Sequence, residues 1–387
     1  MHTPNRASVV RATSSLALAF FAAGLAGSLA PSPVRAQAAA EKEKKEKKDK
    51  KEKGDQPKES KDPKGEKEVP ALFRSEAPLA ITFRTNIKQI KRDKGEESPW
   101  RSASLSYKDS SGKAVEVPVR VRTRGIWRLK HCEFPPIRLN FAGKDTKNTV
   151  FDGVDKPKLV NFCRDNDQYE QYMLQEAQLY RIYQLLTPVS HRVRVARISY
   201  VDSASGKSDA ERYAMIVEDP DQLANRLMAK PVKTKGAGAA DMEPKELALA
   251  YMFLYFIGNL DFSFNGLHNT ELLGTMDGRI LPVAYDFDYA GAVNASYAVP
   301  PPNYNVPNVR TRKFLAYCEI SPEFPGAVNR LVEKKEAIYA LYQDEIGKLM
   351  SPSVVRETLR YFDDFYDMVR SQQDAERNIF RNCIKPH

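Results

Sequence analysis

An α+β fold, with a β-rich N-terminal lobe and a mostly helical C-terminal lobe carrying a metal-site hairpin, is predicted by three features of the sequence. Val115, Val117, Val119 and Val121 alternate with Glu116, Pro118, Arg120 and Arg122, the period-two pattern of a strand with one buried and one wet face. From Asp165 to Leu186 the period changes: Tyr169, Tyr172, Met173, Glu176, Leu179, Tyr180 and Tyr183 recur at three and four, and Thr187-Pro188 stops the run, so this is a helix. Between Gly258 and Gly291, two apolar strands flank the turn Met276-Asp277-Gly278-Arg279, with Asp and Asn residues gathered at the far end.

Taken in order, residues 1–36 read as a secretory signal. Arg6 and Arg11 precede an apolar run from Leu16 to Leu29, and Val34-Arg35-Ala36 resembles a cleavage site. An uncleaved anchor is the alternative, opposed by the shortness of the run. Residues 37–70 form a tether; from Glu41 to Glu68 it is almost wholly Lys, Glu and Asp, a composition that cannot offset the entropy of ordering. The rest divides into a β-rich lobe, residues 71–230, and a helical lobe, residues 231–387. With 387 residues and 42% hydrophobic content the chain can bury a sizeable core. Its net charge of +10 is spread along the chain without a basic-aromatic cluster, which argues against a nucleic-acid partner.

In the β-rich lobe, strands are expected at Leu79–Arg84, Ala103–Lys108, Val115–Arg122, Ile137–Phe141 and Lys158–Phe162, with Pro118 suited to an edge. A second hairpin pairs Arg192–Val201 with Glu211–Glu218. A short helix then opens at Asp219-Pro220, and Lys230–Ala240 reads as a mobile Gly/Ala/Lys loop. The uncharged run Leu247–Leu260 ends a helix that is too short to span a membrane, so it is a core helix delivering Asp261. Ala298–Asn308 is too rich in Pro and Asn for regular structure and is expected to lie over the site. Gly326–Leu349 and Ser351–Ile384 are amphipathic helices.

Cys132, Cys163, Cys318 and Cys383 fit no zinc motif; two disulfides are expected, with three possible connectivities. Cys132 with Cys163 is favoured because both lie in the N-terminal half. Asp261, Asn269, Asp286 and Asp288 gather hard oxygen ligands, which suit Mg, Mn or Ca. The same residues are also common where a turn bonds its own backbone, and composition leaves both readings open.

In this order, sheet, helix, hairpin ending in Glu218, apolar helix, Asp261, Asn269 and Asp286-Phe287-Asp288 resemble the spore coat protein H (CotH) family over Val115–Gly291. Arg124-Gly125, Lys158-Leu159-Val160-Asn161 and Tyr213–Glu218 match further family elements, while Tyr285 stands where Trp is common. The resemblance implies a secreted, atypical kinase-like two-lobe architecture that uses ATP and metal. It implies Asp261 as the base, Asn269, Asp286 and Asp288 as metal residues, and Lys158 and Glu218 as nucleotide contacts, Glu218 either orienting Lys158 or lining the pocket.

The function expected is a periplasmic or extracellular kinase, metal-dependent, acting on a protein or envelope component, with no transmembrane segment after signal removal. The alternatives are a non-catalytic, adhesin-like binding module and a metal-dependent phosphoesterase.

Overall fold

The computed structural model describes residues 69–95 and 98–385. The expected signal segment and all but the last two residues of the tether lie outside them.

Seven strands, β1 (Leu79–Thr85), β2 (Arg101–Lys108), β3 (Ala114–Thr123), β4 (Ile137–Asn140), β5 (Lys158–Val160), β6 (Val193–Asp202) and β7 (Ser208–Val217), close into a barrel ordered β1-β2-β3-β4-β5-β7-β6. Six of its seams are antiparallel. The seventh is parallel, pairing Leu79 with Ala196 through to Thr85 with Asp202. This corrects the expected architecture: a closed mixed barrel, beside a separate three-stranded sheet and ten α-helices among the described residues, is not a kinase-like two-lobe fold. Alternation tells a strand which face is wet, not which strand lies beside it, so one pattern serves an open sheet and a barrel alike. Phe83, Val117, Val121, Leu139 and Tyr200 fill the interior, with the Tyr200 and Phe134 ring centroids 4.7 Å apart. Pro118 sits on β3 beyond the last β4 partner, Arg120, so β3 is locally an edge there and no ladder bond to β4 is lost.

Short helices α1 (Ile87–Arg92), α2 (Trp127–His131) and α3 (Gly143–Thr146) link barrel strands. The long helix α4 (Asp167–Leu186) opens on Asn166, whose side chain accepts from the Tyr169 N–H, and it packs on the barrel along β6 and β7. After α5 (Pro220–Arg226), the expected mobile loop instead begins with a strand, β8 (Ala229–Val232). It forms the edge of a second sheet with β9 (Thr270–Thr275) and β10 (Ile280–Ala284), in the order β10-β9-β8. Pairing to β9, which local composition does not report, orders this segment.

Helix α6 (Pro244–Ile257) is buried from Leu247 to its end, as its lack of charge predicted. Its Phe253 stacks on Tyr183 of α4 with centroids 4.4 Å apart, and Phe256 stacks on Phe362 at the same distance. The two expected C-terminal helices are four: α7 (Phe324–Glu333), α8 (Lys335–Ala340), α9 (Pro352–Met368) and α10 (Gln372–Asn378). Lys334 breaks the first pair with ψ near 2°, and Ser371 caps α10 by accepting from the Asp374 N–H. Among the described residues no helix is long and apolar enough to cross a membrane. The cysteines pair as Cys132–Cys163, the favoured pairing, and Cys318–Cys383.

Candidate metal and anion site

The segment carrying the acidic residues is closed at its base. Gly258 ends α6 with φ +68°, and its carbonyl accepts from the Gly291 N–H at 3.0 Å. A Cβ on Gly258 would collide with the Tyr361 hydroxyl, and one on Gly291 would lie 2.7 Å from that hydroxyl. Two glycines and one tyrosine thus bring the two ends of the segment together, and with them Asp261 and the Asp286–Asp288 run.

Asn269 and Asp286 both adopt left-handed backbone, φ +50° and +64°, at the open end of the β9–β10 hairpin. Asn and Asp tolerate that region better than other side chains. The Tyr285 N–H donates to the Asn269 carbonyl at 3.0 Å, and the Asp286 N–H donates to the Tyr180 hydroxyl of α4 at 2.8 Å. Asn269 Nδ2 donates to the Asp261 carbonyl at 2.8 Å and to its Oδ2 at 3.0 Å, while His268 Nε2 lies 2.8 Å from Asp261 Oδ1. The expected base and the expected metal amide are therefore neighbours.

Glu176 of α4 joins Asp286 and Asp288 with carboxylate oxygens all within 4.8 Å of one another. The signal for it was in the sequence: a charged residue on the apolar stripe of α4. Arg128 of α2 lies 2.7 Å from Asp288 and 3.1 Å from Glu176, and Tyr297 donates to Asp288 at 3.0 Å. Burial, above all, raises the pKa of both Glu176 and Asp288, against the opposing pull of Arg128. The Asp286 carboxylate accepts no hydrogen bond from a described residue. Three hard oxygen donors at this spacing fit a divalent cation, with Asp286 the one not shared with a protein partner.

Lys158 of β5 points at the same place. Its Nζ lies 4.3 Å from the centre of the Tyr285 ring and 3.9 Å from Glu271 Oε1, and it donates no hydrogen bond to a described residue. Burial lowers its pKa to about 8, opposed first by Glu271. Half-buried Arg124 also lacks an acceptor for its guanidinium among the described residues; burial lowers its pKa, opposed first by Asp286.

Glu218 does not reach Lys158. Arg226 takes its carboxylate at 3.0 and 3.1 Å, and the Arg192 N–H takes Oε2 at 3.1 Å. Glu218 instead lines a cavity of about 560 Å³ with Asp219, Arg192 and Arg226. Asp219 is tied at 2.8 Å to Arg138, which faces Lys158 electrostatically. The Pro-rich loop after Ala298 holds one 3₁₀ turn, Pro302–Tyr304, and its Val299, Pro300 and Pro301 form with Asp261 and Tyr289 a narrow cleft.

Together these groups can hold a cation at Asp286 and an anion between Lys158 and Arg124, with a carboxylate, Asp261, facing the cleft. No protein-family model matches the chain, and no curated protein matches it.

Proposed function

We propose that this chain is a metal-dependent phosphotransferase that carries phosphate from ATP to a protein or envelope component. The observation that carries the reading is the buried Lys158 ammonium, which donates no hydrogen bond to a described residue, has Glu271 only at 3.9 Å and the Tyr285 ring over it, and lies in the field of Asp286. Burying an ammonium without hydrogen bonds is costly, so the site is built for an anion to complete it. The reading does not rest on a kinase architecture; it rests on the residues that resemble the CotH family.

Asp286, with Asp288 and Glu176, would hold a divalent cation, which would supply charge neutralisation of phosphate oxygens, and Asn269, beside Asp261, is the further metal residue that the resemblance assigns. Lys158 and Arg124 bind the phosphates and orient them. Asp261, steadied by Asn269 and His268, orients the acceptor hydroxyl and takes its proton. Asp219, which lies in the field of Lys158, lines the cavity beside Glu218, and that cavity is where the remainder of a nucleotide is proposed to sit. Export to a periplasmic or extracellular setting is supported by the use of all four cysteines in disulfides.

The test is thermal shift and labelled-ATP transfer with Mn²⁺. Joint addition of ATP and Mn²⁺ at a hundredfold excess over Kd stabilises the protein by about 2.7 kcal/mol, several degrees in Tm, and Asp286→Ala abolishes the gain and the transfer. A wild-type protein that shows neither overturns the reading. One observation favours the second reading, a non-catalytic binding module: Arg128 already neutralises Glu176 and Asp288. Stabilisation by Mn²⁺ alone, unaffected by ATP, selects it.

A further inference from the structure

The carboxamides of α4 are of two kinds. Gln168, Gln171, Gln175 and Gln178 recur at three, four and three, so they lie along one stripe of the helix. Gln171 donates to the Leu349 carbonyl at 3.2 Å and accepts from the Ser351 N–H at 2.7 Å. Gln178 donates to the Leu341 carbonyl at 2.6 Å and accepts from Arg181 at 2.7 Å. These two fasten α4 to the C-terminal segment and have both ends of the amide engaged. Gln175 differs. It is 5% exposed, and its Oε1 accepts from the Thr358 hydroxyl of α9 at 2.9 Å, but its Nε2 donates to no described residue. Turning the amide over exchanges the two ends and still leaves one of them unpaired. Leaving a buried amide end without a partner is costly, so a polar group from outside the protein is needed to complete it.

Gln175 lines a cavity of about 330 Å³ between α4, residues 292–294 and the start of α9, far larger than one water requires. Of its other walls, Tyr172 and Thr358 are buried, whereas Gln168, Asn294 and Glu357 are exposed. Glu357 has no ion-pair partner among the described residues. Arg310, also in the lining, lies over the Tyr361 ring at 4.6 Å and reaches the Gly291 carbonyl only at 3.4 Å. No member of the acidic trio lines this cavity, nor does Lys158.

We propose that this cavity is a second binding site, for a neutral saccharide. Three carboxamides, one guanidinium and one carboxylate offer donors and acceptors together, with charges of opposite sign. A hydroxyl both donates and accepts, so the adjacent hydroxyls of a sugar ring can pair with all of them. A phosphate would meet Glu357 with repulsion, a metal ion would find a single carboxylate, and an apolar ligand would leave Gln175 unpaired. The site does not depend on phosphate transfer: under either reading of the acidic residues it would hold the chain to a glycan.

Saturation-transfer NMR on the purified full chain tests this, with glucose, galactose, mannose, N-acetylglucosamine, maltose and chitobiose as probes and glycine and inorganic phosphate as charged competitors. At least one sugar is expected to receive saturation and to titrate, with neither competitor displacing it. Glu357→Ala and Gln168→Ala change exposed side chains, and each is expected to weaken that sugar about three- to tenfold. Gln175→Met, which keeps the length of the buried chain, is expected to weaken it at least about tenfold. If Gln175→Met folds poorly by circular dichroism, the two surface variants decide. Absence of saturation for every sugar overturns the inference, as does sugar binding that none of the tested variants weakens. Displacement of the sugar by glycine or phosphate marks a site for charged ligands and overturns it equally.

Discussion

Lys158 carries a cost that binding an anion, as proposed, would offset. Its pKa of about 8, against an ordinary 10.5, means that the fold prefers the neutral amine. A depressed folded pKa gives stability that is present above 10.5 and lost as pH falls through about 8, so the penalty is full at neutral pH. Lys158→Met is therefore expected to stabilise the ligand-free protein at pH 7 by about 1–3 kcal/mol in urea titration, while removing the proposed anion contact. Repeating the titration above pH 10 should shrink the difference. At this scale the sequence was informative where a motif spaced the residues, as with Asp261, Asn269 and Asp286. It was uninformative about partners: Glu218 closes a strand as Lys158's partner might, yet bonds Arg226. Glu271 read as one polar position in a strand, although a carboxylate between Thr270 and Leu272 in an apolar hairpin was a signal. Arg128 had none, because its role depends on the fold bringing α2 within reach of Asp288 and Glu176.

Among the elements, the hairpin β9–β10 and helices α4 and α6 were legible because their periodicity is set by burial on one face or on all sides. What escaped were segments ordered by a distant partner, such as β8, and breaks such as Lys334, where one residue leaves helical geometry without a Gly or Pro to announce it. The joint between α6 and the acidic segment yields a prediction. Gly258→Ala forces a side chain into left-handed backbone and against the Tyr361 hydroxyl, and should destabilise by about 2–4 kcal/mol. Because the same joint brings Asp261 near Asp288, the variant should lose ATP-dependent stabilisation even below its Tm; Tyr361→Phe in the Gly258→Ala background removes the clashing oxygen and should recover part of the stability.

For the whole molecule, the second disulfide ties the C-terminus back across 65 residues, beside the bridge between Tyr317 and Ile384. Cys383→Ser is expected to cost about 2–4 kcal/mol, read as a lower urea midpoint that reductant no longer shifts at that bond. The barrel's parallel seam has a different consequence, one of time rather than energy. β1 and β6 meet across more than a hundred residues, with α4 between them in the chain. Until β6 arrives, β1 has a bare edge able to recruit another chain. Closure should therefore be a late, slow step in refolding. Hydrogen exchange pulsed early after dilution from urea should protect α4 and the β2–β3 hairpin before the amides of Ala80 to Arg84, and a chain truncated ahead of Val193 should aggregate instead of folding.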